Sequence, residues 1–223
     1  MENLEKRIGH QFQDKDLLKQ AMTHSSFTNE QKINHRKNYE RIEFLGDAVL
    51  ELISSEYLFF ENPDMPEGKL TKARASIVCE QALAVTAREL ELGKFMLFGK
   101  GEELTGGRER DSIIADAVEA VIGAIYLDAG IERAKAFVKQ FVLNDLENKK
   151  LFYDAKTVLQ EYIQGNRRGN VSYELLGEEG PDHDKVFVSR VLFEQEELGV
   201  GRGKTKKAAE QNAAYEAILK LRK

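Results

Sequence analysis

Asn38-Tyr39-Glu40-Arg41-Ile42-Glu43-Phe44-Leu45-Gly46-Asp47-Ala48-Val49-Leu50 reads as the opening of a long helix with two chemically different sides. At 100° per residue Glu40, Glu43 and Asp47 share an arc of about 60°, while Ile42, Leu45 and Val49 fall opposite, toward a core. The pattern runs on to about Phe60, where Asn62-Pro63 stops it, with Pro66 and Gly68 beyond. Three carboxylates on one stripe repel one another, so the stripe calls for a cation, a basic partner or open water. Glu51 lies on the same side one turn past Asp47 and reads as solvated.

A second acidic stretch is sharper. In Asp111-Ser112-Ile113-Ile114-Ala115-Asp116-Ala117-Val118-Glu119-Ala120-Val121-Ile122-Gly123, Asp116 and Glu119 share a face at i, i+3. Their helix is otherwise apolar nearly all round, as a buried helix is. Two unpaired carboxylates there would cost several kcal/mol each unless protonated or bound to a cation. No Lys or Arg lies between Asp111 and Glu132, so the compensating charge comes from elsewhere. A hard divalent cation with oxygen ligands answers this economically, and Mg²⁺ suits a site that also meets phosphate.

Helical signals fill the rest of the first two-thirds. One helix is predicted from Asp14-Lys15-Asp16 through Met22, and one from near Lys69 to Leu92, stopped by Gly93. Asp111-Ser112 offers caps to a helix closed by Ala129-Gly130, and another follows from Ile131 to about Leu146. No strand-like alternation is present in this region. A polar bridge beginning at Glu147 then marks a boundary, which predicts domains at 1–146 and 154–223 with a linker at 147–153. The second domain reads as a helix (Ala155–Gln164) stopped by Gly165, strands at Val171–Leu175, Lys185–Glu194 and Glu197–Gly201, and a helix from Thr205 to Leu221. The fold class is therefore an all-α domain followed by a small α-β-β-β-α domain, its two helices on one face of the sheet.

Composition bounds the possibilities. With 42% hydrophobic and 32% charged residues the chain is of ordinary globular type. It has no apolar run of about 18 residues and no apolar segment after Met1–Arg7 resembling a secretory signal, so no membrane span is expected and the cytoplasm is the expected location. Cys79 is single and reads as a small buried hydrophobe. The net charge of −5 argues against a nucleic-acid partner until its distribution is considered. The first domain carries the acidic excess, whereas Val200–Lys223 holds seven basic residues against Glu210 and Glu216.

Asn38–Leu50 closely resembles the signature of the ribonuclease III family, and Ile114–Ala120 resembles its second acidic motif. Glu67-Gly68-Lys69-Leu70-Thr71 and Thr105-Gly106-Gly107-Arg108 fit the same pattern, and the resemblance covers essentially the whole chain. A local departure is Tyr39 ahead of Glu40, which leaves the carboxylates untouched. The resemblance implies an endoribonuclease that hydrolyses double-stranded RNA with Mg²⁺, Mn²⁺ being able to substitute, leaving 5′-phosphate and 3′-hydroxyl ends. It implies Glu43, Asp116 and Glu119 as metal ligands, Asp47 and Glu119 as catalytic, and Glu40 as an auxiliary acid lining the cleft. It also implies a homodimer with the signature helix at the interface, where Phe44 is the candidate aromatic, and ribosomal and other RNA precursors, messenger RNA included, as substrates. His24, in Thr23-His24-Ser25-Ser26, matches a family pattern too and reads as a structural hydrogen-bonding residue.

The C-terminal segment resembles a double-stranded-RNA-binding domain at three places. These are Thr157, Gln160 and Glu161 on the first helix, Gly180, Pro181 and His183 in the loop after the first strand, and Lys204, Lys206 and Lys207 opening the last helix. Each fits a mechanism, because A-form RNA is read through minor-groove 2′-hydroxyls and through phosphates across the major groove. Lysines at a helix N-terminus add the macrodipole to their own charge. A non-catalytic duplex-RNA binder and a metal-dependent phosphodiesterase acting on DNA are the competing readings.

Overall fold

The computed structural model describes residues 1–32, 34–146, 154–166, 169–180, 185–203 and 205–221. The predicted linker, Pro181, His183 and Lys204 lie outside them. The chain divides into two compact units, Met1–Leu146 and Glu147–Lys223.

In the first unit the helices are α1 (Glu2–Ile8), α2 (Lys15–Ala21), α3 (Ser25–Glu30), α4 (Glu40–Glu61), α5 (Glu67–Ile77), α6 (Glu80–Glu89), α7 (Lys100–Leu104), α8 (Asp111–Ala129) and α9 (Ile131–Phe137). The last of these continues as a π-helical turn over Val138–Val142. The centre is α8, which packs against α4, α6, α9 and α2. Its Ala117, Val118, Val121, Ile122 and Ile125 are wholly buried, which accounts for the apolar character of its sequence on nearly every side.

The helix predicted over Lys69–Leu92 is two helices, broken at Val78-Cys79. Cys79 is extended (φ −70°, ψ 155°) and occupies the N-cap of α6. Ile77 and Leu83 are both buried, yet six positions apart they would lie about 120° apart on one straight helix. The bend lets both reach the same core. The N-cap of α8 is Arg110, without a side-chain cap; Asp111 is instead the first helical residue and pairs with Arg88. An acid there still favours the positive end of the helix. The short helices α1, α3 and α7 are too brief to carry a legible period. One isolated parallel bridge, Thr23 to Leu97, ties the chain between α2 and α3 to the segment before α7.

The second unit is α10 (Ala155–Asn166), β1 (Val171–Glu179), β2 (Val186–Phe193), β3 (Glu196–Gly203) and α11 (Lys206–Leu221). Its strands form an antiparallel sheet in the order β1-β2-β3. Helix α10 runs through Gly165, where a stop was predicted, and ends as the Asn166 side-chain amide donates to Tyr162 O. Strand β3 brings Gly199, Gly201 and Gly203 to one face at the period of two residues. A Cβ on any of them would strike the backbone of α11 around Ala209, Ala213 and Ala217. This seam lets α11 lie flat on the strand, with Leu159, Ile163, Val191, Leu198 and Ile218 filling the core around it.

Candidate metal centre and nucleic-acid interface

Asn38 begins the site. It is buried, and its side-chain oxygen accepts from the Glu40 backbone N–H at 3.2 Å, the local bond that starts α4. From there α4 carries Glu40, Glu43 and Asp47, and it crosses α8 at unusually short range. A Cβ on Gly46 would sit 1.8 Å from the backbone oxygen of Glu119, and one on Gly123 would sit 2.3 Å from that of Ile42. Only glycine at both positions permits this backbone-on-backbone crossing.

The crossing brings together carboxylates far apart in sequence. Glu43, Asp116 and Glu119 each offer an oxygen, and these oxygens lie within 4.8 Å of one another on half-buried side chains. Oxygens on opposite sides of a Mg²⁺ ion are separated by about 4.2 Å, so small side-chain movements bring the triad into ligand geometry. Among the described residues no Lys or Arg forms an ion pair with any of the three. Burial, then repulsion from neighbouring acids, pushes Glu119 up to about 8 and Glu43 up to about 7. Burial also raises Asp116, while the Tyr39 hydroxyl bound to it pulls the other way. The all-oxygen donor set and its concentrated negative charge suit a hard divalent cation.

The other acids are arranged around that triad. Asp47 is exposed and outside it, but close enough to raise Glu119; burial and Glu51 raise Asp47 itself. Glu40 is exposed at the start of α4 and contributes to the repulsion felt by Glu43. Glu51 pairs with Arg74 at 3.8 Å, consistent with a surface role.

Two residues carry weight here whose role sequence reasoning did not identify. Gly123 lies inside a helix, where glycine costs about 1 kcal/mol relative to alanine, and that cost was the available signal of a packing requirement. Tyr39, with only 4% of its surface exposed, donates its hydroxyl to Asp116 Oδ2 at 3.4 Å. His24 caps α3, its Nδ1 accepting from the Ser26 N–H at 3.2 Å, and its ring lies 5.7 Å from that of Tyr39. These contacts give His24 a structural role.

On the second unit, Thr157 and Glu161 are exposed on α10. Gln160 is half-buried: its Nε2 donates to Asn170 Oδ1, and its Oε1 accepts from the Val171 N–H. Gly180 follows β1 with φ +91°. Lys206 and Lys207 are exposed in the first turn of α11. Lys156 joins the start of α10 to α11, its N–H donating to Gln211 Oε1 and its ammonium pairing with Glu210. Thr157 is thereby held at the same end of the unit as the two lysines. Among the described residues no helix is long and apolar enough to cross a membrane. Phe44 is 80% exposed, and Leu52 and Phe59 extend its stripe along one flank of α4.

Two family models match the chain, Ribonuclease-III-like over residues 14–146 and the double-stranded RNA binding motif over 155–221. The chain is 48% identical over 221 residues to ribonuclease 3 of Caldanaerobacter subterraneus subsp. tengcongensis, covering 98% of this chain and 96% of that protein. It is 51% identical over 220 residues to ribonuclease 3 of Bacillus cereus strain G9842, covering 98% and 90%. The crystal structure of the Campylobacter jejuni ribonuclease III nuclease domain matches with TM-score 0.59 and 46% identity over 64% of this chain and 92% of that one. A second structure of that domain, at the same score and identity over 63% and 94%, concerns flexibility in the region involved in its dimer formation. With an all-helical nuclease unit holding a carboxylate triad, and an α-β-β-β-α unit following it in sequence, the chain belongs to the ribonuclease III family of double-strand-specific endoribonucleases.

Proposed function

We propose that Glu43, Asp116 and Glu119 hold Mg²⁺ and that the chain uses it to hydrolyse duplex RNA, leaving 5′-phosphate and 3′-hydroxyl ends. The observation that carries this reading is the convergence within 4.8 Å of three half-buried carboxylates from two helices, none of them in an ion pair among the described residues. A divalent cation there supplies positive charge to the scissile phosphate and leaving oxygen, and makes a water acidic enough to attack near neutral pH. The chain's own residues do the rest. Gly46 and Gly123 set the spacing of the ligands, Asp47 orients the attacking water from the triad's margin, and Glu40 lines the approach. Mn²⁺, an oxygen-binding ion of related preference, fits the same ligands.

The RNA is gripped by the second domain, residues 154–223, linked through 147–153 to the nuclease domain at 1–146. Thr157, Gln160 and Glu161 meet 2′-hydroxyls, while Lys206 and Lys207 meet phosphate across the major groove. Gly180, Pro181, His183 and Lys204 complete that set on the family pattern. The exposed stripe of Phe44, Leu52 and Phe59 supports a homodimer, as does similarity to the Campylobacter jejuni nuclease domain, which has a region involved in dimer formation. Two-fold pairing gives two symmetry-related sites, one for each strand. Ribosomal and messenger RNA precursors in the bacterial cytoplasm are the duplexes it would meet.

The test incubates long duplex RNA with the protein, with Mg²⁺ or with chelator, beside a Glu119→Ala variant. Cleavage should require Mg²⁺ and the Glu119 carboxylate, the variant should still bind RNA, and duplex DNA should be spared. Cleavage that survives chelation or the substitution would overturn the metal assignment.

A further inference from the structure

Tyr39 is more than a core aromatic. Its hydroxyl crosses from the start of α4 to α8 and donates to Asp116 Oδ2, 77 positions away in sequence. At 3.4 Å the contact is long for an O–H···O bond, so its value lies in how firmly the phenol is held. Two contacts and near-complete burial hold it. The Tyr39 N–H donates to Thr23 O at 2.9 Å, its ring packs beside that of His24, and the side chain is almost wholly buried. Thr23 and His24 are themselves anchored. The His24 N–H donates to Leu97 O, the Leu97 N–H donates to Met22 O, and the Ser26 Oγ bonded to His24 accepts from the Gly99 N–H. The phenol thus stands on a frame built from the α2–α3 connection and the segment before α7, independent of both ligand-bearing helices beyond its own first turn.

We propose that Tyr39 is a positioning residue for the metal centre: its hydroxyl pins one oxygen of Asp116 and thereby aims the other at the cation shared with Glu43 and Glu119. Asp116 is the short member of the triad. A carboxylate on one methylene, on a helix whose neighbours are apolar, has no other side-chain hydrogen bond among the described residues to choose its rotamer. Glu43 and Glu119 reach farther and can adapt to wherever Asp116 fixes the ion. Outer hydrogen bonds of this kind orient ligands, and losing one commonly weakens metal binding by about 10- to 100-fold. A phenol suits the task because it donates without carrying a charge that would compete with the cation.

This inference rests on the metal site proposed above, and the experiment separates the two. Tyr39→Phe keeps the ring and removes only the hydroxyl. Mn²⁺ binding to wild type and variant is measured by calorimetry without RNA, and single-turnover cleavage is followed across a Mg²⁺ titration. The variant should bind Mn²⁺ about tenfold more weakly and need about tenfold more Mg²⁺ for half-maximal rate, with the rate largely restored at saturating Mg²⁺. Duplex-RNA affinity and helical content should not change. Wild type that binds no Mn²⁺ would refute the metal site itself. Wild type that binds it, with a variant within twofold in both metal measurements, would refute the role of Tyr39, as would a lower maximal rate at unchanged metal requirement. A measurement on the unaltered protein guards against a variant that misfolds. With ¹³Cζ-labelled tyrosine, Mg²⁺ addition should shift the resonance of one buried ring among the seven tyrosines, and no shift overturns the proposal.

Discussion

Replacing Gly46 by alanine tests whether the close crossing of α4 and α8 builds the metal centre. The added Cβ would lie 1.8 Å from the Glu119 backbone oxygen and 2.6 Å from its carbonyl carbon. A comfortable C···O contact is about 3.3 Å, so the helices must part by about 1.5 Å. The obstacle is main chain, and no rotamer change relieves it. The separation falls between the helix carrying Glu43 and the one carrying Asp116 and Glu119, so the Glu43 oxygen, now within 4.8 Å of the other two, is drawn away from both and from the about 4.2 Å spanned across Mg²⁺. A misplacement of about 1 Å at a reacting centre costs on the order of a hundredfold in rate, whereas overpacking a core costs about 1–3 kcal/mol. Gly46→Ala should therefore fold, bind duplex RNA normally in a gel-shift assay, and cleave at least about a hundredfold more slowly well below its melting temperature. Gly123→Ala meets the Ile42 oxygen at 2.3 Å, forces a smaller parting, and should lose less. A folded Gly46→Ala enzyme cleaving within threefold of wild type would refute the crossing as the source of ligand spacing.

Other outcomes follow from the same geometry. Glu119 and Glu43, raised to about 8 and about 7, keep protons in the folded state that the unfolded chain releases near 4.5. The metal-free protein should accordingly lose stability as pH rises from about 4.5 and level off above about 8, and Mg²⁺ should raise the melting temperature more at pH 8.5 than at pH 6. A Mg²⁺ effect independent of pH would contradict this. Lys206→Ala should weaken RNA binding uniformly across sequences and reduce the slope of log affinity against log salt by about one; an unchanged slope would remove Lys206 from the phosphate contacts. Phe44→Asp should convert a dimer to a monomer by light scattering, and a variant that stays dimeric would place the interface elsewhere.

Much of this protein was legible in local pattern. The 3.6-residue period set Glu40, Glu43 and Asp47 apart from Ile42, Leu45 and Val49, and the unbroken apolar run around Asp116 and Glu119 exposed them as charges needing compensation. Alternation and turn residues marked the small sheet, because strand period and glycine punctuation are also local. The break at Val78-Cys79 was not legible: a helical pattern continues smoothly through a bend whose cause is where Ile77 and Leu83 must point. Helical period assigns each side chain to a face but says nothing of the distance between faces of different helices. That distance comes from Gly46 against Glu119 and Gly123 against Ile42, contacts across more than 70 residues of chain. Family resemblance had grouped Glu43 with Asp116 and Glu119; the tertiary structure supplied the crossing that brings their oxygens together with Asp47 outside, and it alone showed that the phenol of Tyr39 reaches Asp116. Sequence alone determined which residues had to find a partner; the packing of backbone against backbone determined which partners came within reach.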